Sequence, residues 1–260
     1  MKIFVISLRS SVERRKIMTS MLNTEGIKFE YFDALDVSQD SSSIFSQYDA
    51  IQTKRKKGYV LTNAEIGCLA SHRELWKKCV KLAEPILIME DNIQINDPLQ
   101  KHLDFAAQHI NSLGLLKFGA IFNHRNIMVQ KLDSKRRIVK YVKGACGTSC
   151  YMISVATAEQ YLKHSQRFFE PVDNFMDSEW VTKQAVYTIY PDVISRSPIE
   201  SVIGNRKDKS LQGINSKIIA EVYRFRSRFK QYSFNRKFRK MLNSSSLNEF
   251  APISEAEISR

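Results

Sequence analysis

An α/β layered domain is what this sequence predicts, on three observations. Short apolar runs alternate with helix-like stretches along most of the chain. One run, Ile86–Met89, is continuous and follows Pro85, as a strand buried on both faces should be. The 260 residues, 43% of them hydrophobic, are enough to bury a full core. Alternation of this kind favours a largely parallel sheet with helices on both faces.

In chain order, Lys2–Leu8 reads as a strand. A helix follows, with Ser10 and Glu13 spaced as a capping box and Gly26 closing it. Lys28–Leu35 alternates and forms a second strand. Val37 to Lys57 is polar, carries consecutive serines and ends in Lys54-Arg55-Lys56-Lys57, which reads as a long mobile loop. Thr62 and Glu65 repeat the capping-box spacing and open a helix to about Ala83.

After the Ile86–Met89 strand, a helix runs from about Pro98 to Leu113, then a short strand at Gly119–Phe122. Met128–Leu132 and Ile138–Val142 form a hairpin across Asp133-Ser134-Lys135. Thr148–Ser154 is a strand leading into a helix at Ala156–His164. Ser178–Ala185 is helical and Val186–Tyr190 is the last strand. Beyond Gly213 the spacing of Ile218, Val222, Phe225, Phe229 and Tyr232, and of Phe234, Phe238 and Met241, marks basic amphipathic helices. The expected organisation is a domain at 1–213, a helical extension at 214–243 and a polar tail at 244–260.

The formal net charge is +13, and its location matters. Between Asn205 and Asn243 twelve Lys or Arg face only Asp208 and Glu221, an excess of +10. No apolar run approaches the roughly 18–20 residues that cross a bilayer. Ile3–Ile6 is too short for a signal-peptide core, so a cytoplasmic location is expected. Four cysteines without C-x-x-C pairing suit reduced thiols rather than a structural metal.

The chemistry concentrates at Glu90-Asp91-Asn92, where the apolar strand runs into two acids and an amide. An unpaired buried carboxylate is costly, so acids at a strand's carboxyl end belong at the rim of a cleft facing a cation or ligand. A polar turn at the surface is the alternative. The neighbouring segments weigh on the first side. Val5-Ile6-Ser7-Leu8 with Arg14-Arg15, Leu61-Thr62-Asn63-Ala64-Glu65-Ile66-Gly67-Cys68 with Ser71-His72 and Trp76, and the acidic strand end occur in that order. Thr148–Ser154 and Pro171-Val172-Asp173 are weaker companions. Together they resemble glycosyltransferase family 25, the bacterial lipooligosaccharide glycosyltransferases whose relatives include animal collagen galactosyltransferases.

The resemblance, spanning roughly Lys2 to Ser201, implies a GT-A-type nucleotide-sugar-binding sheet. It also implies inverting transfer of a hexose, galactose favoured and β-linked, from a UDP-sugar to a lipid-linked oligosaccharide acceptor. Family members carry two Asp after the Glu and bind a divalent cation, usually manganese. Here Asn92 stands in the second place; its amide oxygen can coordinate a hard cation but adds no charge. Asp91 is thus the main expected ligand, with Asn92 beside it and metal binding weakened. Ser7, Leu8, Arg9, Arg14, Glu65, His72 and Glu90 are expected around the donor.

Breaking the sugar–phosphate bond puts negative charge on UDP, which Lys57 and its neighbours could help to stabilise; a solvated loop is the other reading of that run. Glu65 is equally explained as a cap, and His72 as a packed side chain. The acceptor hydroxyl needs a base, with Asp173 first and Asp177 and Glu179 behind it, although acids at a helix start are favoured by the dipole in any case. The basic extension suits an anionic inner-membrane surface, or simple packing of its Phe stripe on the domain. Two other classes compete: a basic nucleic-acid-binding protein, which lacks any recognised motif, and a domain that binds donor or glycan without turnover.

Overall fold

The computed structural model describes residues 1–36, 44–197 and 214–243. The tail expected at 244–260 and the boundary at residue 213 lie outside them. The first half runs β1 (Lys2–Ser7), α1 (Val12–Thr24), β2 (Glu30–Asp33), α2 (Ile44–Gln47), α3 (Ala50–Lys57), α4 (Asn63–Leu82), β3 (Ile86–Glu90), β4 (Ile93–Ile95) and α5 (Gln100–Leu113). Then come β5 (Leu115–Lys117), β6 (Asn126–Lys131), β7 (Arg137–Tyr141), β8 (Cys150–Ile153), α6 (Val155–His164), α7 (Val172–Met176), α8 (Glu179–Thr182), β9 (Tyr187–Tyr190), β10 (Ile194–Arg196) and α9 (Ile214–Asn243).

The main sheet has eight strands in the order β2-β1-β3-β8-β5-β9-β7-β6, and β10 pairs with β4 in a small second sheet. The expected α/β architecture with helices on both faces is present, but the sheet is mixed rather than largely parallel. β1 is parallel to β2 and β3, whereas β8 runs antiparallel to both its neighbours. Period-two alternation sorts the strand residues onto two faces. Ile3, Val5, Leu87 and Met89 pack with Met18 and Leu22 of α1 and with α5. Phe4, Ile6, Ile86 and Ile88 pack with Leu69, Leu75 and Trp76 of α4 and with α6.

Several sequence expectations need correction. Ile44–Gln47 and Ala50–Lys57 are helical rather than loop, residues 37–43 lying outside those described: Asp49 caps α3 by accepting the Gln52 amide at 2.8 Å, and Gly58 ends it at φ 81°. Ser10 does not cap α1; Ser11 holds the N-cap position without a side-chain bond. Thr62 and Glu65 do form the reciprocal capping box of α4. Gly119–Phe122 is not a strand. A Cβ at Gly119 would collide with the Ile194 carbonyl, so that glycine serves a close approach to β10. The Ser178–Ala185 stretch breaks after α8, where Lys183 adopts φ 59°.

The extension is one 30-residue helix, and of the two apolar rows expected to pack, the first stays outside while Phe238 of the second enters the core. Phe225, Phe229 and Tyr232 are 71%, 66% and 66% exposed, while Ala220, Gln231, Asn235, Phe238 and Leu242 are buried. The buried face docks through polar groups. Lys140, fully buried on β7, lies 2.7 Å from Glu179 and 2.6 Å from Asn235. Asn235 donates to the Val142 carbonyl at 2.8 Å, and Gln231 donates to Glu179.

Removing one member of a buried ion pair strands the other charge. Glu179→Ala should therefore lower unfolding stability by about 3–5 kcal/mol in urea titrations. Lys140→Met combined with Glu179→Leu should recover most of that loss.

Candidate active site

β1 lies between β2 and β3; α1, which follows it, covers one face of the sheet, and α4, which leads into β3, covers the other. A crevice therefore opens beyond the carboxyl ends of β1 and β3, at the place where open α/β sheets bind ligands. In the parallel register Ile6 lies opposite Glu90, so the next residues, Ser7 and Asp91, are neighbours. The Ser7 hydroxyl donates to Asp91 Oδ2 at 2.7 Å. Arg14, one turn into α1, lies 3.2 Å from Asp91 Oδ1. Arg15 braces the same strand end through the Ser7 carbonyl at 2.8 Å and Asp33 at 2.6 Å.

A 410 Å³ cavity opens here, lined by Ser7, Leu8, Arg14, Glu90, Asp91 and Asn92, with Cys68 and Ser71 on the α4 side. Its oxygen donors suit a hard divalent cation: Asn92 Oδ1 is buried without a hydrogen-bond partner among the described residues, next to the Asp91 carboxylate. Arg14 already compensates part of the Asp91 charge, and the amide contributes none. The residues thus fit a cation held by one carboxylate rather than two.

Glu90 points to the other face, toward α4, because alternation turns it away from Asp91. Its Oε1 lies 3.7 Å from His72 Nε2 and accepts the Thr148 hydroxyl. Burial pushes the Glu90 carboxyl up, but His72, Thr148 and Arg196 outweigh it and hold it below its ordinary value of 4.5. His72 is fully buried, its Nδ1 2.8 Å from the Tyr151 hydroxyl, which also accepts the Trp76 indole N–H at 2.9 Å. The Tyr151 proton therefore goes to Nδ1, and this network assigns the His72 proton to Nε2, facing Glu90.

Cys68, His72 and Glu90 bring potential metal-ligand atoms within 4.8 Å of one another. A metal on Nε2 would move the His72 proton to Nδ1 and leave the Tyr151 proton without an acceptor, so the network favours the His–Glu contact.

A 70 Å³ recess adjoins this cavity, sharing Cys68 and Glu90 with it. Asp173, in the first turn of α7, lines the recess with Glu65, Thr148 and Arg196. The Glu65 carboxylate accepts the Thr62 amide at 3.0 Å and so is engaged in the cap.

Four expected residues lie elsewhere. Arg9 is 83% exposed and pairs with Asp33 outside the cavity. Lys57 pairs with Glu170 at 2.8 Å and faces a different cleft, because α3 carries it away from Asp91. Glu179 is spent in the Lys140 network, where burial raises its carboxyl. Asp177 is likewise held, by Lys117 at 2.9 Å and the Cys146 amide at 2.7 Å. Sequence reasoning missed Arg196, an isolated arginine on a three-residue strand with no motif around it. Thr148 and Cys68 lay inside the matched segments without being singled out.

A hydroxyl, an arginine and an acid thus converge at the switch point of the sheet, where open α/β sheets bind ligands. Residues 1–176 match the profile of "Glycosyltransferase family 25 (LPS biosynthesis protein)", and the chain belongs to that family. It is similar to the lipooligosaccharide biosynthesis protein lic2B of Haemophilus influenzae, 28% identical over 203 residues, covering 73% of this chain and 74% of that protein. The lacto-N-neotetraose biosynthesis glycosyltransferase LgtE of Neisseria meningitidis is 30% identical over 100 residues, covering 38% of this chain and 35% of that protein. The inactive glycosyltransferase 25 family member 3 of Mus musculus is 31% identical over 109 residues, covering 40% and 18%. The family match ends at Met176, before α8 and α9.

Because the fold favours the ionised Glu90, that preference stabilises the protein above the ordinary carboxylate value and is lost as pH falls through the lowered one. The stability gap between wild type and Glu90→Gln should therefore be widest near neutral pH. It should narrow on acidification below 4.5, as read by thermal unfolding across pH.

Proposed function

We propose that the protein transfers a hexose, galactose favoured, from a UDP-sugar to a sugar of a lipooligosaccharide, by inverting displacement with a β-linked product. The observation that carries this reading is the 410 Å³ cavity, where Ser7, Arg14 and Asp91 meet at the ends of β1 and β3. The diphosphate of the donor would lie against Arg14, whose guanidinium offsets charge developing on the leaving group. When bound, a divalent cation held by Asp91 and Asn92, manganese by family resemblance, supplies further charge stabilisation there. Glu90, kept ionised and oriented by His72 and Thr148, forms the floor shared with the recess.

Asp173 is the proposed general base. It lines the recess next to the donor cavity, and its carboxylate would accept the acceptor hydroxyl proton as that oxygen attacks the anomeric carbon. Asp173→Asn should lower turnover by about 100-fold while leaving donor affinity unchanged. A near-normal rate would exclude it. UDP-galactose at 100 times its dissociation constant should stabilise the fold by about 2.7 kcal/mol, read as a thermal shift with and without manganese. Binding without hydrolysis or transfer would favour a non-catalytic donor-binding role, a reading that Asn92 and the similarity to an inactive relative keep open.

The exposed stripe of α9 supports peripheral binding to the anionic inner face of a membrane. Ile218, Val222, Phe225 and Phe229 are exposed along one side, flanked by Arg226 and Lys230. Aromatic residues backed by cations suit the headgroup boundary, and each cation near such a surface contributes about 1 kcal/mol. No helix among the described residues is long and apolar enough to cross a membrane. The protein should pellet with vesicles containing anionic lipid at low salt. Changing both Phe225 and Phe229 to Ser should abolish pelleting without unfolding the domain.

A further inference from the structure

A cleft of 520 Å³ lies between α9 and the α7–α8 segment; its α8 and α9 walls lie beyond the family match, while Lys143, Glu170 and Asn174 lie within it. It continues the row of cavities from the donor crevice, since Asn174 lines both this cleft and the recess of Asp173. Its volume falls within the range of sites that enclose small organic ligands.

Aromatic rings and uncompensated cations share the walls. Trp180 reaches in from α8, and Tyr223 and Tyr232 from α9. Rings of this kind offer flat faces on which the C–H side of a pyranose can pack. The acidic groups in the cleft are already neutralised: Glu170 holds Lys57 at 2.8 Å and Asp177 holds Lys117 at 2.9 Å. Lys143 and Arg228 also line it, and neither has a carboxylate partner among the described residues. The cleft therefore keeps a positive balance beside its sugar-sized aromatic surface.

We propose that this cleft binds the acceptor as an anionic saccharide, its rings against Tyr232 and Trp180 and its phosphate or carboxylate against Arg228 and Lys143. This rests on the transferase reading and extends it by naming the acceptor's charge. Placement follows from chain geometry. One face of α9 walls the cleft while the opposite face carries the exposed Phe225 and Phe229, and Tyr232 stands at the boundary. A saccharide linked to lipid could thus enter the cleft beside the membrane-facing edge and reach Asp173 through the recess.

The test is calorimetric titration of the full chain with lactose, a lactose phosphomonoester and a sialylated lactose. At least one charged form should bind about tenfold or more tightly than lactose, a difference of about 1.4 kcal/mol. Which one prevails identifies phosphate or carboxylate as the group read. Arg228→Glu and Lys143→Glu should each remove that preference, and Tyr232→Ala should weaken all three. Both charge reversals are at exposed positions, so either serves if the other misfolds. Equal affinity for neutral and charged forms, no saccharide binding, or affinities indifferent to both reversals would overturn the proposal. UDP-galactose titrated in parallel separates the two readings: if it binds and no saccharide does, only the cleft assignment falls. If UDP-galactose itself fails to bind, the transferase reading falls.

Discussion

The pairing of β1 with β3 is the constraint on which the site depends. Parallel register sets Ile6 opposite Glu90, and one residue further the Ser7 hydroxyl meets the Asp91 carboxylate at 2.7 Å. Alternation then divides two consecutive acids between two layers: Glu90 toward α4 and His72, Asp91 toward α1 and Arg14. A one-residue slip would exchange those partners and turn the apolar residues of β3 onto the wrong faces. The hydrophobic sorting of Leu87 and Met89 from Ile86 and Ile88 therefore also positions the chemistry.

Each acid near the crevice has its own compensation. Asp91 leans on Arg14, Glu90 on His72 and Thr148, and Asp33 on Arg15 and Arg9. Behind Glu90, the run from Trp76 through Tyr151 to His72 orders the donors, so that the imidazole presents an N–H to the carboxylate. For Glu90 these contacts hold the carboxyl below its ordinary value although burial pushes it up. The Asp91 carboxylate and the orphaned Asn92 amide oxygen are the groups that would hold the proposed cation.

Helix α9 is fastened by a different principle. Its buried face carries Gln231 and Asn235 around the Lys140–Glu179 pair, closed at the carboxyl end by Phe238 and Leu242. Such a polar dock specifies one orientation of the helix, since any rotation would take the Gln231 and Asn235 amides away from the buried Lys140–Glu179 pair. With that face occupied, the Phe225–Phe229 side is left outward and the Tyr223–Arg228 side forms a wall of the neighbouring cleft.

What the sequence determined by itself was local or motif-borne. The Thr62–Glu65 capping box, the Ile86–Met89 strand and its acidic end, the β6–β7 hairpin and the Glu65–His72–Trp76 face of α4 were all legible, because each is written in spacing over fewer than about a dozen residues. Tertiary structure alone decided the antiparallel entry of β8, the removal of Lys57 and Glu179 from the site, and the recruitment of Arg196. It also decided which stripe of α9 is buried. Those outcomes depend on partners far along the chain, such as Glu170 for Lys57 and Lys140 for Glu179. A helix with apolar or aromatic residues along two sides cannot declare which side will meet a protein until the strand beneath offers a buried lysine to satisfy.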